Sequence, residues 1–293
     1  MNLNHFILGS AQFGQVYGVS NKRKIKLSKK IITNIIKQSY SYGIKSIDTA
    51  ISYDNDKILG EIGIKSFSIN SKVPFCEYNN MSKILKFYED KINISLINLK
   101  IKKFNVIMIH SPNQLSGKKG QLIYKSLIRL KKKNLFNKIG VSIYNFNQLR
   151  EILLNYKFDV VQLPFNIFDR RLLENNLINK LNSQKVEIHV RSVFLQGLLL
   201  MNSNQIHKKF NKWKNNLLEW DTWTYNNKIN KLNACMNFVI SFKKISKILI
   251  GVNSEKELSD LNKIKLQKIT VPEFKITNKN KLINPMQWNS LDK

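Results

Sequence analysis

An eightfold alternation of short strand-like runs with longer amphipathic segments constrains this chain more than any other feature. The strand-like runs fall at residues 6–11, 45–50, 69–74, 106–111, 138–144, 160–166, 187–193 and 247–252. Segments with helical periodicity lie between them at residues 28–42, 55–65, 82–103, 121–133, 147–156, 170–182 and 228–244, and a last one follows at 254–264. Strands joined through helices pair in parallel, because each crossover brings the chain back to the same end of the sheet. Eight such units are the number that closes a (β/α)8 TIM barrel. An open, doubly wound sheet that binds a dinucleotide should carry GxGxxG after its first strand. Here Gly9 and Gly14 bracket SAQF, which lacks that spacing. The expectation is therefore an α/β chain with one barrel domain over residues 1–266 and an irregular C-terminal extension over 267–293, marked by Pro272 and Pro285.

Composition excludes some classes and leaves one question. At 293 residues with 43% hydrophobic and 23% charged positions, the chain can bury a single large core and is not of the disordered type. The 49 Lys and Arg against 19 Asp and Glu give a formal charge of +30. Such a charge suits a polyanion partner when it is clustered. Here it is spread along the chain among Asn and Ile, and the longest basic run, Lys131–Lys133, ends a helical segment where cations favour the helix C-terminus. Compositional bias accounts for it better than a nucleic-acid surface, so no specific nucleic-acid partner is expected. Cys76 and Cys235 stand far apart without a metal-ligand spacing, which points to a reducing compartment and no metal framework. The start of the chain lacks a basic segment followed by a long apolar one, and no run reaches the ~20 apolar residues of a membrane span. A cytoplasmic protein without membrane contact is the expectation. Nothing in the residues speaks to oligomeric state.

In a parallel barrel, chemistry sits where the strands end and their loops begin. The second run ends on Asp48, with Tyr53 in the loop behind it; the third offers Lys72; the fourth stops at His110. Each residue has an ordinary structural use: a turn cap, a loop anchor, one lysine among many, a hydrogen-bonded histidine. Their order on successive strand ends argues for convergence. Together they would make a proton donor. A phenol has a pKa near ~10; a neighbouring ammonium would lower it, and a carboxylate would hold that ammonium charged. The imidazole could orient a carbonyl by hydrogen bonding. The product is an acid able to protonate a carbonyl oxygen as hydride reaches its carbon.

Asp48, Tyr53 and His110 lie in stretches that resemble the aldo-keto reductases, in particular their bacterial branch: ILGSAQFG, IDTAISY, ILGE, MIHSP, IGVSIY, VVQLPFN, RSVFLQGLLL and ILIGVNS. The resemblance runs to about Leu261. It implies an NADP(H)-dependent reductase of aldehydes or ketones, with NAD(H) as the other possible cofactor. It also implies a tetrad of Asp48, Tyr53 as general acid, Lys72 and His110, and no metal. Ser142 and Gln162 would hold the nicotinamide carboxamide, and Ser10 and Gln12, in the first motif, would belong to the cofactor site. Gly251 and Ser254 would lie near the adenosine phosphates, with Lys256 for a 2′-phosphate. The chain departs from the family pattern at Ile143, where Asn is frequent, and at Glu257 and Leu261, where Gln and Asn are usual. Arg191 replaces an aromatic that stacks on the nicotinamide, and its planar guanidinium could stack instead. Ser254 and Glu257 also read as a capping box. RSVFLQGLLL resembles members associated with bacterial surface-sugar metabolism, which suggests a sugar-derived carbonyl. A nicotinamide-binding regulatory barrel with little turnover, and a basic nucleic-acid-binding protein, are the alternatives. Residues 196–228 read as a long loop carrying Trp213, Trp220 and Trp223, either as a wall on the substrate side or as one face packed on the barrel.

Overall fold

The computed structural model describes residues 3–14, 18, 26–276 and 279–290. Eight parallel strands close a barrel in sequence order. They are β1 Phe6–Gly9, β2 Ser46–Asp48, β3 Ser68–Val73, β4 Phe104–Ile109, β5 Phe136–Ser142, β6 Val160–Pro164, β7 Glu187–Arg191 and β8 Lys247–Ile250. The helices are α1 Ala11–Gly14, α2 Lys29–Ser41, α3 Asp56–Ile62, α4 Met81–Leu99, α5 Gly117–Lys132 and α6 Phe146–Asn155. After them come α7 Leu177–Ser183, α8 Lys214–Asn226, α9 Lys231–Ile240, α10 Glu255–Asn262 and α11 Lys279–Ile283. The expected (β/α)8 barrel is the observed fold. Each strand ends a residue or two before its apolar run does, because those last residues leave the ladder to build the mouth. Ala11 is the clearest case: it starts a short helix instead of ending β1. Most of the stretch between α1 and α2 lies outside the described residues.

Strand pairing decides which side chains share a face. Lys72 pairs in register with Met108, Met108 with Gly140, and Gly140 with Val160; Ser142 pairs with Gln162. Register partners point the same way from the pleat. Val106, Met108 and Val160 accordingly form a small cluster of their own, separate from the large core that joins the sheet to the helices. Helix starts are set by capping side chains that accept the first free backbone N–H groups: Ser28 for α2, Asn80 for α4, Asn145 for α6 and Asn230 for α9.

The stretch expected as a long loop contains α8. Leu217, Trp220 and Thr224 are its buried face, a spacing of three and four that only a helix presents on one side. Trp220 is fully buried, stacks on Trp223 at 5.5 Å between centroids, and donates its indole N–H to Leu199 O at 2.9 Å. Trp213 is buried as well. The tryptophans thus pack α8 onto the barrel and do not form a substrate wall; it is the start of the same segment, around Phe194, Gln196, Gly197 and Leu200, that borders the cleft described below. Trp220→Ala is expected to destabilise the protein by about 3 kcal/mol or more while leaving ligand affinity unchanged, read as a shift in the urea midpoint beside a binding titration.

The C-terminal extension also packs against the barrel. Phe274 meets Phe168, Trp288 meets Phe210, and Arg170 donates to Pro272 O at 2.6 Å. Among the described residues, no helix is long and apolar enough to cross a membrane.

Candidate active site

The C-terminal ends of the strands surround an open cleft of about 1050 Å³, counted out into solvent. Ten of the twelve residues singled out above line it: Ser10, Gln12, Asp48, Tyr53, Lys72, His110, Ser142, Gln162, Arg191 and Gly251. Ser254 and Lys256 do not. Ser254 caps α10, accepting Glu257 N at 3.2 Å, and the Glu257 carboxylate returns to Asn253 N at 2.7 Å. Lys256 is exposed one position away.

The loop that carries Tyr53 is fastened from both sides. Ile51–Tyr53 form a single 3-10 turn, closed by Tyr53 N donating to Ala50 O at 2.9 Å. Asp54 follows in the left-handed region at φ 53° and turns the chain into α3. Asn55 ties this turn to its neighbours: it accepts from Thr49 Oγ1 at 2.9 Å and donates to Ser10 O and Ser10 Oγ at 2.8 and 3.0 Å. Gly14 packs on the other side. A Cβ there would stand 2.2 Å from the Tyr53 carbonyl oxygen, so only glycine lets the first loop approach. Neither Asn55 nor Gly14 was identified from the sequence as positioning Tyr53, although both lie near the motifs that carry it.

Lys72 and Asp48 form a fully buried ion pair, and Lys72 Nζ also donates to Thr49 O at 3.0 Å. The second Asp48 oxygen accepts Gln162 Nε2 at 2.8 Å. A carboxylate only accepts, so it fixes the Gln162 amide with its nitrogen inward. Gln162 Oε1 is left buried without a hydrogen-bond partner. Tyr53 lies edge-on to His110 with ring centroids 6.0 Å apart, and Lys72 Nζ stands 5.6 Å from the Tyr53 centroid.

The electrostatics of Tyr53 differ from the sequence expectation. Burial raises the phenol's pKa above its ordinary value; Asp48 and Tyr144 raise it further, and Arg191 alone opposes them. Lys72 pairs with Asp48 and is not among the groups that move the phenol. Tyr53 is held protonated. His110 goes the other way, pushed down to about 4 by burial and then by Lys72, against the pull of Asp48. Its imidazole is neutral at physiological pH and can donate from only one nitrogen. The arrangement is a protonated phenol and a neutral imidazole beside a buried carboxylate–ammonium pair.

Tyr144 is a cleft residue that the sequence reading passed over, though it closes the quoted IGVSIY motif. The Arg191 guanidinium lies over its ring, with Cζ 3.7 Å from the centroid. The stack that Arg191 forms is therefore with a side chain of the protein. The Gln162 orphan acceptor suits a carboxamide N–H, and Ser142 lines the cleft as its register partner. The residues present thus fit a nicotinamide.

Fold and site define the class: a parallel barrel with a phenol, an imidazole and a buried carboxylate–ammonium pair grouped at its C-terminal mouth. The comparisons with known proteins then specify it. The aldo/keto reductase family model matches residues 5–279. The chain is 30% identical over 201 residues to a glyoxal reductase of Bacillus subtilis, covering 64% of this chain and 68% of that one. It is 27% identical over 176 residues to an uncharacterized oxidoreductase of the same organism, YtbE, covering 58% and 61%. An aldo-keto reductase from Bacillus halodurans superposes with a TM-score of 0.71 at 14% identity, covering 98% of this chain and 91% of that one. A glycerol dehydrogenase from Gluconobacter oxydans superposes with a TM-score of 0.66 at 16% identity, covering 99% and 91%. This chain belongs to the aldo/keto reductase family and is an oxidoreductase of it.

Proposed function

We propose that the protein is an NADP(H)-dependent carbonyl reductase in which Tyr53 is the general acid. The observation that carries this reading is the grouping, in one cleft, of a protonated phenol, a neutral imidazole and the unsatisfied acceptor of Gln162. When bound, the reduced nicotinamide supplies the hydride. Tyr53 supplies the proton. Its raised pKa does not prevent this, because the alkoxide developing on the substrate oxygen is a stronger base than a phenolate. His110 holds the carbonyl oxygen by donating one N–H, and the Lys72–Asp48 pair keeps the floor of the cleft rigid. Gln162 Oε1 and Ser142 would hold the carboxamide.

The cleft continues, through Phe194, Gly197, Leu200, Gly251 and Glu257, into a second cavity of about 2330 Å³. Lys228 and Lys263 line that cavity and could meet phosphate groups, a role assigned to Lys256 from the sequence. They favour NADP(H), with NAD(H) as the comparison. The likeness to a glyoxal reductase supports a small carbonyl substrate, and a sugar-derived carbonyl remains within the same chemistry.

Titration with NADPH is expected to quench tryptophan fluorescence, and the loaded protein should reduce a reactive aldehyde. No response to NADPH or NADH at millimolar concentration would remove this reading.

A further inference from the structure

Arg191 ends β7, beside the strands that carry Ser142 and Gln162, whereas Tyr53, Lys72 and His110 belong to β2, β3 and β4 and their loops. Arg191 is only 8% exposed. A buried guanidinium is ordinarily matched by a carboxylate, because an uncompensated buried charge is expensive. Among the described residues, no carboxylate forms an ion pair with Arg191. Asp48 is committed to Lys72 and Gln162. Glu257, the other carboxylate lining the cleft, is engaged by Asn253 N. Neutral groups hold Arg191 instead: the Tyr144 ring at 3.7 Å, Ile143 O at 2.9 Å from Nη2, and Ser192 Oγ at 3.3 Å from Nη1. Guanidinium does not lose its proton in proteins. The cleft therefore keeps one fixed positive charge that no described carboxylate pairs with, and this charge contributes to the behaviour of both His110 and Tyr53.

Carbonyl reduction takes a hydride from the nicotinamide ring and a proton from Tyr53. It leaves an alcohol and a ring one unit more positive. A fixed cation in the same cleft distinguishes those two ring states whatever else it touches.

We propose that Arg191 sets the redox preference of the site, making it hold the reduced cofactor more tightly than the oxidised one. This rests on the nicotinamide reading given above. In general, at an effective dielectric constant of about 20, two unit charges about 8 Å apart repel enough to weaken binding roughly thirtyfold, which sets the order of the effect that a cation sharing the cleft can have. The consequence is directional. The oxidised cofactor, formed in the carbonyl-reducing direction, leaves easily, whereas alcohol oxidation has to begin from the weakly held form.

The test is a set of dissociation constants for NADPH and NADP+, and for NADH and NAD+, measured by calorimetry without substrate. Wild type should bind the oxidised form at least about tenfold more weakly. Arg191→Met should narrow that ratio by about tenfold, chiefly by tightening the oxidised form. Arg191→Lys, which keeps the charge, should preserve the wild-type ratio. Equal affinities for the two forms in wild type would overturn the proposal without any variant. So would equal weakening of both forms by Arg191→Met, which would make Arg191 an anchor for the ligand's phosphates. An Arg191→Lys protein that behaves like Arg191→Met would overturn it too, since shape and not charge would then matter. If Arg191→Met does not fold, Arg191→Gln, which can still donate to Ile143 O, takes its place. Failure of wild type to bind either form would remove the nicotinamide reading itself, a result distinct from an altered ratio.

Discussion

Replacing Tyr53 by Phe is expected to lower carbonyl reduction by about 10²–10⁴-fold while leaving NADPH affinity within a few-fold of wild type. The substitution removes one oxygen and keeps the ring, so the edge-on contact with His110 and the packing of the 3-10 turn persist. Asn55 and Gly14 hold the turn through backbone and side-chain contacts that do not involve the phenol. What disappears is the proposed proton donor. His110 cannot replace it, because burial holds the imidazole neutral down to about pH 4 and a neutral imidazole is a far weaker acid than imidazolium. Tyr144 brings a second phenol to the cleft, but its ring is covered by Arg191. The measurement is single-turnover reduction of one reactive aldehyde, with cofactor affinity determined beside it. Equal rates in the two proteins would reduce the constellation to a structural feature and leave a barrel that binds nicotinamide without turning over carbonyls.

The second large effect belongs to the ion pair beneath the site. Lys72→Met is expected to destabilise the protein by about 3–5 kcal/mol, the range for removing one partner of a buried pair. The reason lies less in the lost attraction than in what stays behind. Asp48 and Lys72 have side chains only 2% and 3% exposed. Without the ammonium, the Asp48 carboxylate keeps only the Gln162 amide as a side-chain donor. Asp48→Asn combined with Lys72→Met replaces both charges and should recover much of the loss, because no unpaired ion then remains buried. Urea unfolding of the two single variants and the double variant measures the coupling. Additive losses would show that the pair does not act as a unit. Activity should fall in the two variants that carry Asp48→Asn, since Gln162 is oriented by the Asp48 carboxylate.

Much of this protein was legible in its residues. The eightfold alternation implies a parallel barrel because periodicity and segment length are local properties, and only a few topologies join such segments with short connections. Asp48 and His110 could be placed for the same reason: each falls at the end of an apolar run, and the ends of parallel strands collect at one mouth, whereas Lys72 follows the polar pair Asn70 and Ser71. Tyr53 was legible only as a neighbour of Asp48. Its position depends on Gly14 and Asn55, which meet it across the boundary between the first two strands.

Other features required the folded chain. Residues 214–226 form a helix because Leu217, Trp220 and Thr224 find a barrel surface to cover, and the spacing of the tryptophans left packing and substrate contact equally open. Lys256 and Glu257 are one residue apart, yet only Glu257 borders the cleft, since adjacent helical positions point about 100° apart and α10 must dock before either direction is defined. The sequence by itself determined the strand order, the residues that end each strand, and hence the chemical groups at the mouth. Only the tertiary structure decided their charge states. Burial raises Tyr53 and lowers His110, Lys72 and Asp48 pair with each other, and no described carboxylate pairs with Arg191. Each of these depends on how much solvent and which neighbours surround a group, and the desolvation that dominates them exists only when the whole barrel has closed around it.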